Sequence, residues 1–400
     1  LTHHANQRLE NTMAFYQKRG LLPPKRHIEL RREGGYKGEG IYYEEVITTA
    51  GFSRAYSICY HLKPPTRVVK VEGAGRIETP TVDLPELRHH HFKSGRLPRG
   101  GDPVRGRVPF LANADVVMAR CRPIEPQKEL FRNSADEIMF VHQGRGTLHT
   151  MFGPVPFKPF DYVVIPKTTT YRLEFSAEAE PDLLFIETPH AVGLPPRYFN
   201  PDGQLRMGAP YYERDFHGPT DVAPIDREEE TPILIKDGTR LTRYIMAHHP
   251  FDVVGWDGYV FPYTFNADDF EPITGTIHQP PPIHQTFETA GFVVCTFAPR
   301  MLDTHPQAVK VPYVHSNVES DEVLYYVRGN FGSRKGVETA SFTWHPSGIP
   351  HGPHPGTIVA SRKVDRTDEL AVMVDTFRPL RATKAALDFD DPQYPYSWLG

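Results

Sequence analysis

The stretch His315-Ser-Asn317-Val-Glu-Ser-Asp321-Glu322-Val-Leu-Tyr-Tyr-Val-Arg-Gly329, followed by Pro346-Ser-Gly348-Ile-Pro-His351, sets the fold. Residues 323–327 are apolar and, apart from Leu324, β-branched or aromatic, and a glycine closes them, which predicts a short strand ending in a turn. An earlier stretch has the same outline. Asn133 precedes Glu137, residues 138–142 read as a strand, and Gly144 closes it. Six residues separate Glu from Gly in both places. Downstream, Thr168 and Tyr171 follow Pro166 by two and five residues, as Gly348 and His351 follow Pro346. Two matched signatures imply a duplication. The expected fold class is all-β, with one small barrel design used twice.

The rest of the chain agrees. At 400 residues it exceeds one comfortable core. An apolar fraction of 39% and a charged fraction of 24% exclude a disordered chain and a coiled coil. The 40 prolines and 31 glycines interrupt too often for long helices and favour short strands joined by turns. No apolar run is long enough for a membrane span, and Leu1-Thr-His-His-Ala-Asn-Gln has no signal-peptide core. With a net charge of −4 and no Lys/Arg block, a nucleic-acid partner is not expected. Cys59, Cys121 and Cys295 are odd in number and far apart, and read as reduced buried thiols of a cytoplasmic protein.

Leu9, Met13 and Tyr16 form one apolar stripe at helical spacing, ended by Pro23-Pro24. Strands are expected over 41–47, 55–62 and 67–71, and an exposed connection over 95–107. The expected units are residues 1–188, a Pro- and acid-rich linker over 189–235, and residues 236–400. The last twenty residues read as an extension. His89-His90-His91 and His248-His249 read as solvated loops, because adjacent side chains on a strand face opposite ways and do not chelate together.

His315, Glu322 and His351 carry the chemistry. On neighbouring antiparallel strands of a small barrel, inward side chains converge. Two imidazoles and one carboxylate on one face of an octahedron leave the other face open, the pattern of non-haem Fe(II) oxygenases. Asp321 is the alternative carboxylate. Glu322 is preferred because it keeps the six-residue interval to Gly329. In the first block Phe131 and Tyr171 replace the histidines and only Glu137 remains, so that half is expected to bind no metal and to pack against its partner.

Four segments carry a more specific likeness: Val254-Gly-Trp-Asp-Gly-Tyr-Val-Phe-Pro-Tyr-Thr-Phe265, Thr276-Ile-His278-Gln-Pro-Pro281, Pro312-Tyr313-Val-His315, and His345-Pro-Ser-Gly-Ile-Pro-His351-Gly-Pro353. Together they resemble homogentisate 1,2-dioxygenase, a family of the cupin superfamily. The opening from Met13 to His27 resembles a shorter bacterial branch. The resemblance implies a bicupin and an Fe(II)-dependent enzyme that cleaves homogentisate with O2 to maleylacetoacetate in tyrosine and phenylalanine breakdown. It also implies a homo-oligomer.

Carried over by residue, the resemblance makes His315, Glu322 and His351 the iron ligands. It makes His278 the acid/base group, with His284 as the alternative six positions on. Tyr313, His345 and Phe331 are the expected substrate contacts. Two features depart from the longer branch. Phe331 stands near where that branch carries a substrate-binding tyrosine, and Ser316 replaces an arginine beside the first ligand, which removes a hydroxyl and a guanidinium as partners for a carboxylate. Arg328, Arg334 and Lys335 are then the candidates for holding an acidic substituent. Hydroquinone, gentisate or a substituted hydroquinone is the rival substrate, and a non-catalytic binding bicupin is the rival from another class.

Overall fold

The computed structural model describes residues 15–399. Leu9 and Met13 of the expected helix lie outside the described residues. Among those described, only Thr357–Ser361 and Lys384–Leu387 are α-helical, and the rest is built from short strands. The fold is an all-β bicupin.

Residues 41–47, 55–62 and 67–71 are found as strands Tyr43–Thr48, Tyr56–His61 and Val68–Arg76. The two duplicated stretches form strands Asp136–Gln143 and Asp321–Arg328. Their closing glycines, Gly144 (φ 103°) and Gly329 (φ 89°), occupy the left-handed region. A Cβ at Gly329 would stand 2.4 Å from the Asp368 carbonyl oxygen, so no larger residue closes that turn.

The first barrel packs a seven-stranded sheet against an eight-stranded one. Alternation along Asp136–Gln143 divides its apolar residues between two cores. Met139 and Val141 join Leu148, Val155 and Leu173 inside the barrel, whereas Ile138 and Phe140 face outward into a larger cluster. That cluster also takes Val323, Tyr325 and Val327 from the second barrel's six-stranded sheet. The two barrels therefore meet sheet to sheet over a shared apolar layer. The opposite alternation, Glu322, Leu324 and Tyr326, lines a cleft inside the second barrel.

The units interlock, and the structure draws their boundary elsewhere than the linker over 189–235. Strands Thr231–Asp237 and Arg240–Met246 extend the first barrel's seven-stranded sheet, the former parallel to Leu130–Asn133. Tyr263–Asn266 pairs with Asp161–Ile165 of the other sheet. The linker itself is packed: Tyr211 is fully buried, and Phe216–His217 joins a sheet. In exchange, His90–Phe92 crosses over to become an edge strand of the second barrel against Phe342–His345. Arg381–Ala382 returns to pair with Val108–Ala112. Hydrophobic pattern fixes which face of a strand is buried, but not which distant strand it pairs with.

The two histidine runs are not solvated loops. His89, His90 and His91 are all buried on the crossing arm, and His248 and His249 are buried as well. Each is held by local partners: the His90 Nδ1 lies 2.9 Å from Asp390 Oδ2, and its ring stacks on Trp344 at 4.9 Å. The three cysteines are buried and free. No helix among the described residues is long and apolar enough to cross a membrane.

A fragment holding residues 268–400 lacks the His90–Phe92 strand and leaves the 381–382 strand unpaired. It is expected to show no cooperative thermal transition by calorimetry. A sharp transition for that fragment would mean the second barrel closes without the arm.

Candidate metal centre

Strand alternation separates the two candidate acids. Asp321 points to the outer face, where its carboxylate accepts from Trp344 Nε1 (3.0 Å), Ser347 N (2.9 Å) and Leu380 N (2.8 Å). Those three donors consume it. Glu322 points into the barrel.

His315 and His351 reach the same point through a backbone bridge, each donating its N–H to the other's carbonyl at 2.9 Å. The candidate ligand atoms of His315, Glu322 and His351 lie within 4.8 Å of one another. The His315 Nδ1 is 3.1 Å from the Tyr313 carbonyl oxygen, and the His351 Nδ1 is 3.0 Å from that of Ile349. A carbonyl oxygen only accepts, so each Nδ1 carries the proton and each neutral ring leaves Nε2 as a bare lone pair. These lone pairs face the carboxylate, at 3.3 Å from Oε2 for His315 and 3.4 Å from Oε1 for His351. The buried His351 Nε2 has no hydrogen-bond partner. Three acceptors converging without a donor form a cation site, and the outer hydrogen bonds hold the rings in the ligating tautomer. The donor set fits a divalent iron.

The charges support this. Burial alone pushes the Glu322 carboxyl up, yet the three imidazoles around it, with His345 donating from Nδ1 at 3.0 Å, outweigh that and hold it well below the usual range. The Glu322 carboxylate chiefly draws the His315 imidazole up, so a proton on His315 Nε2 and a cation compete for the same place. Asp375, opposite Glu322 on the next strand, is pushed up to about 8 by burial and then by Glu322.

The cleft in front of the triad spans about 1030 Å³ with its open mouth. His278 and His284 both line it. Burial pushes His284 down to about 3, and its ring packs against Phe297 at 4.8 Å. His278 is a quarter exposed, with Nδ1 at 3.4 Å from Asp303 Oδ2 and its Nε2 unpartnered. Tyr313 sets its ring edge-on to His278 at 4.6 Å. Phe331 lines the cleft and packs on Tyr326.

His345 sits elsewhere than expected. It is fully buried behind Glu322, with Nδ1 3.0 Å from Oε1 and Nε2 3.1 Å from the Tyr394 hydroxyl, so it supports the carboxylate instead of facing the cleft. Of the proposed cations, Arg328 pairs with Asp268 outside the cleft, while the buried Arg334 donates to the Gly352 carbonyl beside Glu322. Arg300, which no motif marks, lines the cleft and pairs with Glu369 at 3.0 Å.

In the first barrel the matching centre is filled by the protein itself. Arg107 donates to Glu137 and, at 2.9 Å, to the Tyr171 hydroxyl, which in turn donates to Glu137 at 2.6 Å. Its guanidinium lies 3.7 Å from the Phe185 ring centroid. A fixed cation stands where the second barrel presents bare acceptors.

A family model described as "Homogentisate 1,2-dioxygenase N-terminal" matches residues 120–267, ending one residue past strand Tyr263–Asn266. A protein of Saccharolobus solfataricus named "putative dioxygenase" is 38% identical over 393 residues, covering 96% of this chain and 99% of that one. The chain belongs to the homogentisate 1,2-dioxygenase-like cupin family. Homogentisate 1,2-dioxygenase of Rhodopseudomonas palustris is 29% identical over 287 residues, covering 68% of this chain and 62% of that relative's length. Among solved structures, a cupin 2 conserved barrel domain protein from Leptotrichia buccalis covers 75% of the chain at 9% identity with a TM-score of 0.36. Within that family, this chain brings together a His/Glu/His cluster suited to a metal cofactor.

Replacing Arg107 by Leu strands the buried Glu137 carboxylate. A loss of about 3–5 kcal/mol is expected in denaturant unfolding. A change below 1 kcal/mol would show that the guanidinium is not what balances that carboxylate.

Proposed function

We propose that the protein is an Fe(II)-dependent ring-cleaving dioxygenase of the homogentisate type, with His315, Glu322 and His351 as ligands and a 1,4-dihydroxybenzene as substrate. The observation that carries this reading is the pair of bare imidazole nitrogens facing a carboxylate at the floor of an open cleft. Fe(II) held there would supply Lewis acidity toward a phenolic oxygen and electrons to O2.

The chain's own residues supply the rest. A phenol near pKa 10 must be shifted by about three units, roughly 4 kcal/mol, to bind as phenolate at neutral pH. His278 is the residue assigned to take that proton at Nε2, with Asp303 3.4 Å from Nδ1 orienting the ring. His284, held neutral by burial against Phe297, is the poorer base. Phe297, Leu324, Phe331 and Met373 line the cleft and keep water from the ring. Arg300 is the cleft cation closest in kind to a carboxylate partner, its bond to Glu369 open to exchange with an acidic ring substituent. That favours homogentisate over plain hydroquinone.

Oxygen uptake after anaerobic Fe(II) loading tests the assignment. Homogentisate is expected to outpace gentisate and hydroquinone and to yield maleylacetoacetate. No uptake with homogentisate beside brisk uptake with another diol would move the substrate, and no uptake with any, with iron far below one per chain, would favour a binding protein.

His351→Ala is expected to abolish both iron retention and turnover, read by metal analysis and oxygen electrode. His278→Ala is expected to keep its iron and slow turnover by about 10²–10⁴-fold. Undiminished turnover in that variant would pass the acid/base role to His284.

A further inference from the structure

Residues Tyr394–Leu399 wind as a 3-10 turn across the back of the metal centre, on the side away from the cleft. Three side chains of this segment bond to His345, which backs Glu322, and to the loop that carries His351. The Tyr394 hydroxyl meets His345 Nε2 at 3.1 Å. Trp398 Nε1 donates to the Gly352 carbonyl, next to His351, at 3.1 Å. Ser397 Oγ lies 2.7 Å from His354 Nε2, and the Trp398 indole stacks on the His354 ring at 4.3 Å.

His345 joins this segment to Glu322. Its Nδ1 lies 3.0 Å from the carboxylate, which accepts only, so the proton belongs on Nδ1. The other tautomer would turn a lone pair on a carboxylate in a buried site. A hydroxyl that donates to Nε2 selects the productive tautomer, and Tyr394 supplies it. The His345 ring also stacks on the His351 ring at 4.5 Å, so its orientation bears on a second ligand.

We infer that Tyr394, through His345, and Trp398, through the Gly352 carbonyl, are positioning residues that hold Glu322 and His351 in ligating geometry. The inference rests on the metal reading of the triad. Outer-sphere partners of this kind typically change metal affinity 10–100-fold.

The test uses Co(II), which binds such sites without oxygen chemistry and reports its surroundings in visible absorption. Tyr394→Phe keeps the ring and removes the hydroxyl. It is expected to weaken Co(II) binding about tenfold and to change the absorption bands, while the metal-free protein still melts cooperatively. Acting through His345, the same change should cost nothing further in a His345→Leu background. Unchanged affinity and bands would overturn the positioning role, as would a full additional loss in the His345→Leu background. Should Tyr394→Phe fail to fold, Trp398→Phe decides alone: weaker Co(II) binding upholds the inference and equal binding overturns it. Absence of Co(II) and Fe(II) binding by the unaltered chain would overturn the metal reading itself, and this inference with it.

Discussion

A carboxylate facing two imidazole lone pairs is an arrangement that only positive charge relieves. Glu322, His315 and His351 are brought to that condition by ordinary backbone: a strand alternation, a two-residue bridge, and two carbonyls that fix the ring protons on the far side. The surrounding layers preserve it. Asp321 is spent on three outer donors, burial and the Glu322 charge push the Asp375 carboxyl up, and burial holds His345 neutral. Arg334 lies at the edge of ion-pair reach of Glu322, 3.9 Å from Oε1, but its guanidinium is also bonded to the Gly352 carbonyl.

The family resemblance and the physical reading meet at these residues but carry different information. Kinship places the chain in the homogentisate 1,2-dioxygenase-like cupin family. The geometry adds which nitrogen of each histidine is free, why Asp321 cannot compete, and why His278 rather than His284 has the better setting for proton transfer.

Much of this was legible in the sequence because it is local. The interval from Glu322 to Gly329 is one strand and its turn, and the alternation within it separates cleft residues from core residues. What was not legible depends on distant pairing. His90–Phe92 joins a strand some 250 residues onward, and no periodicity announces that partner. The same gap explains the buried histidine runs and the misplaced boundary, since strands 231–237 and 263–266 look alike whichever barrel they complete. Tyr394 and Arg300 lie in stretches without a motif, and only the closed fold brings them to the site.

The two barrels share an ancestry of pattern yet differ in what neutralises the acid at their centres. A guanidinium is charged at any pH the protein meets and is covalently part of the chain, so the Arg107 barrel is complete as synthesised. On the metal reading of the other centre, its counter-charge comes from solution, and scaffold integrity would be uncoupled from metal supply: the Arg107 half stands whether or not an ion is at hand, and replenishment would find a finished receptacle.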